Sequence, residues 1–187
     1  MRHRYETQGI VLSRVPSGES SALVTILTPE LGLIRALVQG IRAEGAKLAP
    51  ALVTLAESSF ILVRGKDGWR VAGATIHQNW FLLMTPVARG RMARISGLLL
   101  RLVAGEAEDR ELFPIARGLV EAFTKEQEEI HEEIEVLGAL KILSALGFDQ
   151  GGVHSGPVFS RELLTEARSS REQYISRINR GITVSGL

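Results

Sequence analysis

Residues 8–42 constrain this chain more than any other stretch. Gln8-Gly9-Ile10-Val11-Leu12, Gly18-Glu19-Ser20, Thr28-Pro29-Glu30-Leu31-Gly32 and Val38-Gln39-Gly40-Ile41-Arg42 follow one another as strand, turn, strand, turn, strand. Between the turn signals the side chains keep period 2: Leu23, Thr25 and Leu27 share one face of their run, and Ile34, Ala36 and Val38 share one face of the next, leaving Arg35 and Gln39 on the other. This is strand patterning, and it reads as the opening of a small β-barrel, a shape suited to holding single-stranded nucleic acid.

Two further runs continue the pattern, Ser58 to Arg64 and Trp69 to Ile76, joined by Gly65-Lys66-Asp67-Gly68, whose Asp-Gly pair tolerates the backbone of a tight hairpin. Five strands within residues 1–80 predict the five-stranded Greek-key barrel called the OB-fold, with an SH3-like barrel as the competing arrangement. The period changes near Asn79 to Pro86. Met92, Ile95, Leu98, Leu99, Leu102 and Val103 then recur at helical spacing, with Thr85 and Pro86 as N-cap and first-turn proline. Further helices are expected from about Glu111 to Lys125, from about Glu128 to Leu146 ahead of Gly147, and from a cap at Ser160 through Leu163, Leu164, Ala167, Tyr174, Ile175 and Ile178. The whole is an α+β chain of two domains: an OB-fold barrel over 1–80 and an antiparallel α-helical bundle over 81–187.

An apolar fraction of 45% over 187 residues is enough for two modest cores without metal or disulfide staples. No cysteine is present, and the histidines at 3, 77, 131 and 154 have no ligand-like spacing, so neither a metal site nor a cofactor is expected. No apolar run is long enough to span a bilayer and the N-terminus runs straight into a strand. The expectation is therefore a cytoplasmic protein with no membrane partner.

The net charge of +1 conceals segregation. Residues 1–105 hold thirteen Lys/Arg against six Asp/Glu, whereas residues 106–138 hold three against eleven. One reading is a polyanion-binding front kept apart from an acidic, DNA-repelling face; the other is a solvated helix face. Arg89, Arg91, Arg94 and Arg101 frame the apolar stripe of their helix, either pairing with the acidic helices, snorkelling over the core or extending the basic surface.

No nucleophile elbow, phosphate loop, paired metal motif or dinucleotide fingerprint occurs, so no catalytic residues are assigned and an enzyme is not expected. His131 and Glu135, one turn apart, read as a surface ion pair or plain solvation. The barrel supplies the better chemistry. Arg14, Arg35, Arg42, Lys47, Arg64, Lys66 and Arg70 fall on polar strand positions or loop tips and are the expected DNA-binding residues. Trp69 and Phe60 offer stacking faces unless the core claims them, as an aromatic content of only 5% suggests for Trp69. Arg42 and Lys47 lie in the connection after the third strand, which reads equally as a solvated loop.

The chain resembles the RecO recombination mediators of bacterial DNA repair. The likeness rests on Gly9-Ile10-Val11-Leu12, Pro16 with Gly18-Glu19-Ser20, Thr28 with Gly32, and Gly40 with Arg42, and extends loosely to Leu143-Ser144-Ala145-Leu146-Gly147-Phe148. The four-cysteine zinc module carried by many members after that helix end is missing between Asp149 and Ser160. The resemblance implies a non-catalytic protein that binds single- and double-stranded DNA, anneals complementary strands and helps load recombinase. It also implies two protein partners, RecR and the acidic C-terminal tail of single-stranded-DNA-binding protein. That tail needs a hydrophobic notch beside a cation, for which Lys141 is the candidate, its other reading being an exposed lysine on a core helix. The alternative function is an adaptor in which barrel and bundle bind only proteins.

Overall fold

A computed structural model of the chain describes residues 3–41, 47–103, 105–106, 109–151 and 156–187. They fall into two compact units, Met1–Leu83 with Gly105–Phe113, and Met84–Ala104 with Pro114–Leu187. The sequence places the division at 80/81; contacts add the segment 105–113 to the barrel, where the Leu33 amide donates to the Gly105 carbonyl at 3.3 Å.

The first unit is a closed five-stranded barrel. Its strands are β1 (Arg4–Ser17), β2 (Ser21–Thr28), β3 (Gly32–Val38), β4 (Ala56–Gly65) and β5 (Gly68–Asn79), in the ring order β1-β2-β3-β5-β4. Every neighbouring pair is antiparallel except β3 and β5, which meet in parallel through Ala36–Trp69 and Leu37–Arg70. That parallel closure between the third and fifth strands is the OB-fold arrangement. β1 makes closure possible by serving two partners: Arg4 to Ile10 pair with β4, and Ile10 to Ser17 pair with β2.

β1 changes partner at Ile10, next to a position that has no room for a side chain. A Cβ on Gly9 would lie 2.5 Å from Ile26 Cγ2 and 3.0 Å from the Leu27 carbonyl oxygen, so only glycine lets β1 cross β2 this closely. The interior takes alternate residues of each strand: Ala22, Val24 and Ile26 of β2, Ile34, Ala36 and Val38 of β3, and Phe60, Leu62, Trp69 and Val71 of β4 and β5. The β4–β5 connection is tighter than the sequence suggests. Gly65 and Gly68 are themselves paired, leaving Lys66-Asp67 as a two-residue turn. A short helix α1 (Trp80–Leu83) follows β5, and buried Glu57 accepts a hydrogen bond from Trp80 Nε1 at 3.0 Å.

The second unit gathers α2 (Pro86–Leu102), most of α3 (Leu112–Lys125), α4 (His131–Ala145), α5 (Arg161–Ser169) and α6 (Arg171–Val184). Thr85 Oγ1 accepts from the Ala88 amide at 3.2 Å, and Pro86 opens the first turn of α2, as the sequence indicates. α4 is the central helix. Ile134, Leu137, Leu140, Ile142 and Leu143 are all buried, and α2, α5 and α6 pack on it.

The single helix expected after Ser160 is instead two. Ser170 adopts a non-helical backbone (φ −103°, ψ 18°) between α5 and α6, and Ser169 Oγ turns back to the Glu166 carbonyl at 3.0 Å, the local competition by which serine ends helices. Among the described residues no helix is long and apolar enough to cross a membrane.

Candidate nucleic-acid interface

Strand pairing sorts the barrel's cations. Opposed residues in neighbouring strands share a face, so Val15–Leu23–Leu37–Arg70–Val63 is one row across the outer surface, and Ser13–Thr25–Arg35 is the row beside it. Arg35 and Arg70 are both exposed and stand on adjacent strands diagonal to one another, Arg70 being opposite Leu37. Among the described residues neither pairs with a carboxylate. The surface between them is aliphatic: Val15 and Leu23 are 56% and 38% exposed. Sequence reasoning missed these two, although the inward set Ala22, Val24, Ile26 already forces Leu23 outward.

The remaining cations lie elsewhere. Arg14 and Arg64 end a different row, Arg14–Val24–Ala36–Trp69–Arg64, whose middle three members are buried in the core. Arg64 lies 5.1 Å over the Trp69 ring and pairs with Glu106, so much of its charge is already engaged. Lys66 occupies the β4–β5 turn, and Lys47 is exposed ahead of a 3₁₀ turn at Ala49–Leu52. Arg42 falls outside the described residues.

The stacking reading of the aromatics does not hold. Trp69 is 5% exposed, edge-on to Tyr5 at 5.0 Å, and Phe60 is 1% exposed. Both are barrel core, because a barrel this small must fill its lumen with large side chains. The other side of the barrel has the opposite character. Glu6, Gln8, Glu30, Ser59 and Thr75 line a groove of about 510 Å³ over β1, β4 and β5, where Thr7 donates to Glu30 at 2.5 Å and Ser59 pairs with His77 at 2.6 Å. Glu6 and Glu30 thus place carboxylates in this groove, with Arg4 3.7 Å from Glu6.

In the helical unit three carboxylates of the acidic block are paired with arginines. Glu132 pairs with Arg171, Glu133 with Arg168 at 2.5 Å, and Glu135 with Arg91 at 2.6 Å and Arg94 at 2.5 Å. Burial pushes the Glu135 carboxyl up, but hydrogen bonds and charge from Arg94 and Arg91 outweigh it and hold the group below the usual carboxylate range. His131 is no surface residue. It is 1% exposed, edge-on to Phe123 at 5.3 Å, and its Nε2 donates to the Glu126 carbonyl at 3.0 Å.

Lys141 is also buried, 2% exposed, with Nζ donating to the Gly156 carbonyl at 2.9 Å. An open groove lies between the end of α3 and α5. This groove of about 490 Å³ is lined by Lys125, Glu126, Ile130, Arg161, Leu164 and Arg168, of which Lys125 is paired with Glu121 and Arg168 with Glu133. Its cations come from segments far apart in sequence, which is why no local motif marks it.

Residues 1–79 match the family model described as recombination protein O N terminal. The chain is 33% identical over 124 residues to the DNA repair protein RecO of Roseiflexus sp. (strain RS-1), covering 65% of this chain and 44% of that protein. It is 41% identical over 80 residues to that of Synechocystis sp. (strain ATCC 27184 / PCC 6803 / Kazusa), 43% of this chain and 30% of the relative. With Dehalococcoides mccartyi (strain CBDB1) the identity is 29% over 91 residues, 49% of this chain and 36% of the relative. In each case the chain spans less than half the length of the relative it matches.

Proposed function

We propose that the chain is a DNA-binding recombination mediator without catalysis of its own, a reading supported by the similarity of its N-terminal domain to the RecO family of DNA repair proteins. The observation that carries this reading is the face of Arg35 and Arg70 on β3 and β5: two exposed guanidinium groups, without carboxylate partners among the described residues, on a closed OB-fold barrel. Long cationic donors neutralise phosphates and release counterions, which gives binding without sequence preference. Arg14, Lys47, Arg64 and Lys66 add cations elsewhere on the barrel, Arg64 more weakly because Glu106 shares its charge, and Arg42 joins them on its place in the sequence alone. By screening the phosphates of two strands the barrel favours annealing, and single- and double-stranded DNA are both ligands.

The helical unit meets protein partners. RecR and the tail of single-stranded-DNA-binding protein are the partners the family suggests. For an acidic tail ending in apolar residues and a carboxylate, the groove of Lys125, Arg161, Arg168 and Leu164 is the better receptor than buried Lys141. Titration of labelled single-stranded DNA at several salt concentrations tests the first role. Affinity should fall with a log–log slope of about −3 to −4 if about four to six phosphates are neutralised. Binding indifferent to salt would instead support an adaptor that contacts proteins alone.

A further inference from the structure

Lys141 and Gly118 converge on one short piece of chain. Lys141 Nζ donates to the Gly156 carbonyl at 2.9 Å and lies 5.5 Å from the centre of the Phe159 ring. Gly118, on α3, has no room for a side chain, since a Cβ there would lie 2.1 Å from the Pro157 carbonyl oxygen. Residues 156–159 are thus pressed onto α3 and tied to α4. The chain then passes without a break into α5: Ser160 caps it, accepting from the Leu163 amide at 3.4 Å, and Arg161 is its first residue. Arg161, Leu164 and Arg168 of α5 form one wall of the cationic groove.

We propose that Lys141 is a positioning residue for this groove: through the strap 156–159 it sets where α5 begins, and so where Arg161 stands for an acidic peptide. This rests on the reading of the groove as a peptide receptor and departs from the expectation that Lys141 touches the peptide itself. A buried ammonium spent on a backbone carbonyl fixes a loop at the point where a few tenths of an ångström decide whether a carboxylate meets its guanidinium.

The test is binding of a labelled acidic peptide, ending in apolar residues and a free carboxylate, to the full chain at several salt concentrations. Lys141→Met should weaken binding roughly tenfold while leaving the salt slope at the wild-type value, because no charge leaves the interface. Gly118→Ala keeps Lys141 intact and favours the α3 helix, yet displaces Pro157; it should reproduce the loss with the same unchanged slope. Arg161→Glu should lower both affinity and slope. DNA titration on each variant reports whether the barrel is intact, and helical circular dichroism reports the second unit.

Wild-type peptide affinity in a folded Gly118→Ala variant would overturn the proposal. So would a Lys141→Met variant whose salt slope drops by the equivalent of one charge, which is the signature of direct contact. Should Arg161→Glu bind the peptide normally, the groove assignment fails instead, so failure of the premise and failure of the inference remain distinguishable.

Discussion

Replacing Arg35 and Arg70 together with glutamine isolates the charge on the outer face. Both side chains are exposed on strands whose opposite faces form the core, so stability should change by no more than about 0.5 kcal/mol. Each phosphate contact on a single strand contributes about −0.7 to the slope of log affinity against log salt. Losing two should therefore make the slope shallower by about 1.4. At about 0.1 M salt the same two contacts are worth roughly a 25-fold change in affinity, or about 1.9 kcal/mol, and the wild-type and variant lines should converge near 1 M. Fluorescence anisotropy of a labelled oligothymidine supplies the measurement, with a melt of each protein as the folding control. Parallel salt lines for a folded double variant would refute the reasoning, since a lost contact that does not change counterion release was never a phosphate contact.

Four other outcomes follow from the packing and the charges. Gly9→Ala, which forces a methyl against Ile26 and the Leu27 backbone, should cost about 1–3 kcal/mol and lower the barrel's melting temperature. Trp69→Phe should destabilise the barrel by about 1 kcal/mol yet leave DNA affinity and salt slope unchanged, because the ring lies in the core and its Nε1 has no hydrogen-bond partner among the described residues. Arg177 holds the Asp149 carboxyl below its usual range, and Arg94 and Arg91 do the same for Glu135 against the effect of burial. A depressed folded value stabilises above the ordinary carboxylate range, so the helical unit should lose stability as pH falls below about 4, and Asp149→Asn should flatten that loss in acid melts. Chelator should leave the melting temperature and the DNA salt slope unchanged, as expected of a chain with no cysteine; a shift in either on metal removal would contradict this.

The parts of this molecule that were legible in sequence are those whose cause is local. Alternation and turn residues mark all five strands, and Thr85-Pro86 marks the start of α2 within a residue. What stayed hidden depends on residues distant in the chain. An OB-fold differs from an SH3-like barrel through the parallel meeting of β3 and β5, and nothing in either strand announces its partner. The pairing of Glu132, Glu133 and Glu135 is invisible in the acidic block because their partners Arg91, Arg94, Arg168 and Arg171 lie 35–44 residues away. Lys141 looks like a surface lysine on a core helix until the strap at Gly156 is seen lying over it. Arg35 and Arg70 come together only once β5 has crossed to β3.

The composition of the outer face also bears on what kind of DNA contact it can make. Its two rows present Val15, Leu23, Leu37 and Val63 beside Arg35 and Arg70, with no aromatic ring among them. Stacking on an aromatic platform is worth about 1–3 kcal/mol per base and hides the base from a complementary strand. A face that spends its large aromatics, Phe60 and Trp69, on filling the lumen forgoes that energy. What remains is phosphate attraction and aliphatic contact with sugars, both indifferent to the Watson–Crick edges. A strand held in this way keeps its bases available for pairing, and when a second strand arrives the guanidinium groups that held the first also screen the repulsion between the two. On the proposed function, the same face that limits affinity would be the one suited to annealing, and its grip would loosen with the rise in salt that strengthens a duplex.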